Sequence, residues 1–240
     1  MNIVLIGATG GIGLDIAKKL SIQKHNLFIG SLNVDKLNKI ISELNCSGMQ
    51  IDVSDMDNFE LFFIEAEKSL TSIDVIINCV GSILLKPSHM AKKQEIIQTY
   101  ELNIFNSIGT IKYGVSYLKK RGGSIILFSS AASNIGLKNH DIISSAKGAI
   151  NSLVKSAAMT YANNNIRINA IAPGLVETPL TSRITSNDAA LNYSIGMHPI
   201  NKIGKPYNIT KCVEWLIHES SDWITGQTIT IDGGLSSLKK

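Results

Sequence analysis

What this chain lacks narrows its class first. Its 240 residues hold no apolar run of about 18, the length a membrane-spanning helix needs, so no transmembrane helix is expected. Long stretches of low hydrophobicity and high charge are missing too. With 44% hydrophobic and 18% charged residues there is material for a sizeable core, and disorder is excluded for most of the chain. The opening MNIVLIGATGGIG has no basic leader and glycines break its apolar run, so no signal peptide is expected. Cysteine is scarce. Cys46, Cys79 and Cys212 are odd in number and unevenly spaced, which argues against a disulfide framework and for a reducing, cytoplasmic location. Charge of one sign is not concentrated: 23 Lys and Arg stand against 19 Asp and Glu, a net of +4. The longest basic run, Lys119-Lys120-Arg121, reads as a solvated helix end. Nucleic-acid binding needs a basic face or a known module, and neither is present. No His, Cys or Asp cluster has metal-ligand spacing, so no metal is expected.

What is present is alternation. Short apolar runs at residues 2–6, 27–29, 49–53, 75–77, 124–128, 166–171 and 228–231 read as buried strands. Segments with apolar residues at helical spacing lie between them, at 12–23, 34–44, 56–69, 92–118, 144–162 and 208–218. Strand and helix in turn, with crossovers long enough for parallel pairing, predict a single doubly wound α/β domain. Its central parallel sheet would have about seven strands and helices on both faces. Nothing reads as a linker. The least regular stretch, about 176–206, carries Pro179, Gly196, Pro199, Gly204 and Pro206 and is expected to be a functional lid.

Between the first strand and the first helix lies Gly7-Ala8-Thr9-Gly10-Gly11-Ile12-Gly13. Glycines permit a tight turn and let the backbone approach a phosphate, and the helix N-terminus beyond favours an anion. Dinucleotide binding is the expectation. The spacing G-x-x-x-G-x-G resembles that of the short-chain dehydrogenase/reductase family, and further segments match in order. Asp52-Val53 resembles the pair that contacts the adenine ring, and Asn78-Cys79-Val80-Gly81 resembles the family's N-N-A-G segment. Asn103 stands where the family keeps an active-site asparagine. Ser130 lies seventeen positions before Lys147, in Ser145-Ala-Lys-Gly-Ala149, as the family's serine does before its lysine. Pro173, Gly174, Val176 and Thr178 resemble the stretch that holds the nicotinamide end. Trp223-Ile-Thr-Gly-Gln227 and Asp232-Gly-Gly234 resemble the C-terminal signature. The resemblance covers essentially the whole chain. It implies a Rossmann-type NAD(P)-dependent oxidoreductase that moves hydride between nicotinamide and a carbonyl or alcohol carbon of a small molecule. It also implies a homotetramer or homodimer packed through the long helices.

One part of that pattern is absent. The family's proton relay is a tyrosine four residues before the lysine, and here that position is Ile143. No tyrosine lies between Tyr117 and Tyr161. The residues expected to act are Ser130, Lys147, Asn103 and a substitute donor. His140 leads, because imidazole titrates near neutrality and a seven-residue spacing on a continuous helix would put it on nearly the same face as Lys147, about 10 Å away along the axis. Asp141 beside it would raise its pKa, and Ser144 or Tyr193 are further donors. The segment Asn139-His140-Asp141-Ile142-Ile143 resembles a family variant with His-(Asp/Glu)-x-Ile in this place. Two other readings stay open: a non-redox lyase, isomerase or epimerase on the same scaffold, and a nucleotide-binding sensor without turnover.

Cofactor choice turns on the end of the second strand. An acidic residue there selects NAD, but this chain has Ser31, Leu32 and Asn33. Without the carboxylate, and with Ser31, Asn33 and Lys36 able to meet a phosphate, NADP(H) is expected in preference to NAD(H). The selectivity would be weaker than an arginine fork provides. Cys79 is read as a small packed residue, and His198 and His218 as surface residues.

Overall fold

The apolar run Asn2–Ile6 forms β1 at the centre of the sheet, and in the computed structural model, which describes residues 1–239, its residues 3–6 are fully buried. The chain then alternates. The first half runs α1 (Gly11–Ile22), β2 (Asn26–Ser31), α2 (Val34–Leu44), β3 (Ser47–Gln50), α3 (Asn58–Leu70) and β4 (Val75–Asn78). The second runs α4 (Lys93–Tyr100), α5 (Asn106–Leu118), β5 (Gly123–Phe128), α6 (Asp141–Tyr161), β6 (Ile166–Pro173), α7 (Ser182–Thr185), α8 (Asp188–Met197), α9 (Pro206–Ile217) and β7 (Thr228–Ile231). All pairings are parallel, in the order β3-β2-β1-β4-β5-β6-β7. A parallel sheet covered on both faces explains why its strands read as unbroken apolar runs.

Two cores flank the sheet. On one face α3, α5 and α6 bury Phe59, Phe62, Phe63, Val115 and Ile150, and Phe62 meets Phe28 of β2 edge-on at 5.3 Å. On the other face α1, α2 and α9 bury Ile16, Leu20, Leu37, Val213 and Leu216. Each fully buried side chain of this size contributes roughly 1.5–3 kcal/mol of transfer free energy. The winding reverses between β1 and β4. The connections on either side of that point diverge and leave a crevice at the carboxyl ends of the two strands.

Three expectations are corrected. The third strand spans Ser47–Gln50, not 49–53, because its partner β2 ends at Ser31, which pairs with Gln50. Ile51 and Val53 are buried beyond the strand, in the loop. The helix expected over 92–118 is broken by a π-helical turn, Glu101–Phe105. The helix expected over 144–162 begins three residues earlier, at Asp141, while stretch 176–206 includes the short helices α7 and α8.

Candidate active site

At the crevice Gly7 takes φ +87° and donates its N–H to the Gly30 carbonyl at 2.8 Å, which turns the chain from β1 toward α1. Gly10 caps α1 without a side-chain acceptor, and no acidic residue stands in the helix's first turn. The positive end of the helix dipole therefore faces the crevice uncompensated by side chains. A Cβ on Gly13 would lie 2.2 Å from the Gly7 carbonyl oxygen. Gly13→Ala must open the loop. It is expected to cost about 1–3 kcal/mol of stability and to remove saturable dinucleotide binding, both readable by thermal melts and fluorescence titration.

The resulting cleft, about 280 Å³, is lined by Gly7, Thr9, Gly10, Gly11, Ile12 and Gly13 and by Ser31, Asp52, Val53, Cys79, Val80, Gly81 and Thr178. Ser31 is buried, its hydroxyl 2.5 Å from that of Thr9. Asp52 Oδ1 accepts from the backbone and hydroxyl of Ser54, which shapes the loop after β3. Two expected cleft residues face elsewhere. Asn33 caps α2, its Oδ1 accepting from Lys36 N, and does not line the cleft. Asn78 is buried and donates to Asn106 Oδ1 and Thr110 Oγ1 of α5. Its role is to join β4 to α5 and, through the Val80 N–H that donates to its Oδ1, to hold the wall formed by Val80.

At the inner end of the cleft lies Lys147, reached by α6. It is buried, and its Nζ donates to the Phe128 carbonyl at 2.7 Å. Burial disfavours the ammonium and lowers its pKa from 10.5 to about 8. Asn103 is fully buried in the π-helical turn. Its Nδ2 donates to Thr99 O and Ser82 Oγ, and its Oδ1 accepts from Ser82 N. A Cβ on Gly81 would sit 3.0 Å from Asn103 Oδ1 and 3.1 Å from Lys147 Nζ, so glycine keeps open the space beside both groups. Pro173, Gly174, Val176 and Thr178 close this end. Cys79 also lines it, but burial pushes its thiol pKa up, so it stays protonated and inert.

A second cavity, about 260 Å³, opens next to it. Ser130 and Ile143 line both, as do Pro173 and Gly174. Ser130 leads off a short turn, its Oγ accepting from Ala132 N at 3.2 Å. Ser129 is spent on α6, donating to the Lys147 carbonyl. Ile143 is buried where cleft and cavity meet.

His140 lines the second cavity together with Ser130 and Ile143. It is the N-cap of α6 and not on a continuous helix with Lys147, because α6 begins at Asp141. Its Nδ1 lies 2.8 Å from the Lys138 carbonyl, which can only accept, so Nδ1 carries the hydrogen. Asp141 does not serve His140. Its carboxylate accepts from the backbone and hydroxyl of Ser88, and these bonds hold its pKa below the usual carboxylate range. Ser144 lines neither cavity; Tyr193, largely exposed on α8, lines the second.

Three residues of the second cavity escape sequence reasoning. His198 is buried, not a surface residue. Its Nδ1 donates to the Ser194 carbonyl at 2.7 Å and its Nε2 accepts from Leu175 N at 3.4 Å, tying the end of α8 to the loop after β6. Leu137 and Leu235 complete the wall. The only local signal for Leu235 is an apolar residue directly after Asp232-Gly-Gly234. Among the described residues, no group of three or more His, Cys, Asp or Glu could hold a metal ion, and no helix is long and apolar enough to cross a membrane.

Comparison with known proteins gives matches over nearly the whole chain. A family model described as enoyl-(acyl carrier protein) reductase matches residues 7–236. A chloroplastic tropinone reductase homolog of Arabidopsis thaliana is 30% identical over 244 residues, which covers 98% of this chain and 76% of that protein. The trans-4-hydroxycyclohexanecarboxylate dehydrogenase of Sinomonas cyclohexanicum is 27% identical over 242 residues, 96% of this chain and 91% of its own. A solved short-chain type dehydrogenase/reductase from Mycobacterium ulcerans superposes with a TM-score of 0.92 at 22% identity, over 98% of this chain and 89% of that one.

Proposed function

This chain belongs to the short-chain dehydrogenase/reductase family, a family of oxidoreductases that generally use NAD(P)(H), and from that premise we propose that it transfers hydride reversibly between NADP(H) and a carbonyl or alcohol carbon, with a proton donor other than tyrosine. The observation that carries this proposal is the shared wall. Ser130 and Ile143 border both the second cavity and the space around Lys147, which shares Ile12, Cys79, Gly81 and Thr178 with the glycine-loop cleft, so a group held in one can reach a ligand held in the other.

The residues fit a nicotinamide dinucleotide. The glycine turn and uncapped N-terminus of α1 suit a pyrophosphate, and the open space beside Gly81 brings a ligand to Asn103 and Lys147. When bound, the dinucleotide supplies or accepts the hydride. Lys147 donates to ligand hydroxyls in exchange for its bond to Phe128 O, and Asn103 keeps Lys147 in contact with solvent through water. The Ser130 hydroxyl donates to the carbonyl oxygen and stabilises the charge that develops there. His140 delivers the proton to that oxygen in reduction and takes it back in oxidation. The stretch 176–206 closes over the cavity and excludes water.

NADP(H) is preferred in this proposal because no carboxylate stands at Ser31, Leu32 or Asn33 to repel a 2′-phosphate. With Asn33 Oδ1 engaged as a helix cap, Ser31 and the Lys36 side chain are left to meet it. Three free cysteines suit a cytoplasmic setting. The chain is proposed to work as a homodimer or homotetramer through α5 and α6, where Ile108 and Met159 are exposed. Light scattering is expected to give two or four times the 26.0 kDa chain mass; a monomer would refute this.

The test is a titration with NADPH and NADH followed by nicotinamide fluorescence, then a screen of carbonyl substrates on the same sample. Saturable binding, tighter for NADPH, together with turnover is the expected result. Tight binding without turnover would favour the sensor, a reading that Ile143 itself supports. Binding of neither dinucleotide would overturn the proposal.

A further inference from the structure

We propose that the second cavity selects a small, uncharged, largely apolar carbonyl compound or alcohol; this rests on the hydride-transfer proposal and names its substrate class. The volume of about 260 Å³ corresponds to about nine water molecules at their share of the liquid, so the enclosed part of a ligand is on the order of ten non-hydrogen atoms. Six apolar side chains of the wall come from four parts of the chain. Ile83 and Leu85 follow β4, Leu137 precedes α6, Ile184 and Met197 belong to α7 and α8, and Leu235 follows β7. Among the described residues, no Lys, Arg, Asp or Glu lines this cavity.

Nearby charges are engaged elsewhere or lie at the surface. Lys86, next to Leu85, pairs with Glu95 at 2.5 Å. Asp141, next to His140, is held by Ser88. Arg183, beside Ile184, is exposed. Lys147 lines the cleft but not the cavity, whereas Ile143 lines both and puts an apolar side chain at their border. The polar groups that face a ligand are hydroxyls and imidazoles. Of these, His198 already bonds Ser194 O and Leu175 N.

A carboxylate or phosphate entering this cavity would leave its hydration shell and meet no lysine or arginine in return. A neutral carbonyl loses far less, gains a hydrogen bond at Ser130, and buries its hydrocarbon against six apolar side chains. Selection against charge is therefore built into the wall, apart from the chemistry at Ser130 and His140.

The experiment compares cyclohexyl methyl ketone with the same ketone bearing a ring carboxylate. Both are titrated calorimetrically into protein with tetrahydro-NADPH added, a reduced analogue whose ring carries no charge and gives up no hydride. The neutral ketone is expected to bind at least ~100-fold more tightly. Leu85→Arg, at a partly exposed wall position, is expected to narrow that ratio at least ~10-fold by supplying the missing cation. Equal or tighter binding of the carboxylate, or no saturable binding of the neutral ketone, would overturn the assignment. Reduction of the neutral ketone by NADPH is read separately. Selective binding without reduction would fail the hydride-transfer proposal and leave the cavity's selectivity intact.

Discussion

Lys147→Met is expected to make the ligand-free protein more stable while reducing turnover by more than ~100-fold. The lysine is buried, and burial lowers its pKa from 10.5 to about 8. Below about pH 8 both the folded and the unfolded chain hold this proton, so stability does not change with pH on its account. Between about 8 and 10.5 only the unfolded chain holds it, and stability rises with pH by up to roughly 3 kcal/mol. At neutral pH the fold therefore carries the full cost of a desolvated ammonium. Methionine removes that cost and keeps the length of the side chain, but leaves the Phe128 carbonyl without its donor, a loss of about 1–3 kcal/mol. The balance predicts a thermal midpoint higher by about 2–4 °C for each kcal/mol gained. It also predicts that the rise in stability across pH 8 to 10.5 disappears in the variant. A lower midpoint together with an unchanged pH slope would show that the lysine is not strained by burial. A higher midpoint with lost turnover would mean, on the proposed function, that the site keeps a destabilising residue for the reaction.

His140→Ala is expected to lower kcat by ~100-fold or more while dinucleotide affinity holds. The histidine stands against the second cavity with Ser130 and Ile143 and lies outside the glycine-loop cleft, so its loss leaves the nucleotide contacts intact. Its Nδ1–H is fixed on the Lys138 carbonyl, which leaves Nε2 to meet a ligand in the cavity. Steady-state reduction at saturating NADPH reads the effect. Unchanged turnover would remove His140 from the mechanism and pass the proton to water at Ser130 or to Tyr193. A second substitution, Ile143→Tyr, is expected to restore part of the activity of His140→Ala, since it sets a phenol at the border of both cavities. Failure of that rescue in a folded double variant would argue that the isoleucine pocket cannot orient a donor.

Much of this is legible in the sequence. The glycine spacing of residues 7–13, the apolar runs and the order of segments determined a doubly wound parallel sheet with its crevice after β1. Local chemistry decides such features: strands buried on both faces read as apolar runs, and a turn that must pass Gly13 close to Gly7 admits only glycine. Ile143 and Lys147, four residues apart, fall on one side of α6, as helical spacing requires. What only the tertiary structure decided is which way polar side chains turn. Asn78 turns into α5, Asn33 turns back to cap α2, and Asp141 turns to Ser88, while His198 folds inward to join α8 to Leu175. Each of these residues finds a partner that is distant in sequence or set by a helix end, and a buried polar group takes whichever partner the packing brings within reach. The neutral wall of the second cavity is likewise tertiary. Four of its apolar side chains, Leu85, Leu137, Ile184 and Leu235, come from separated segments, and only folding brings them around one space.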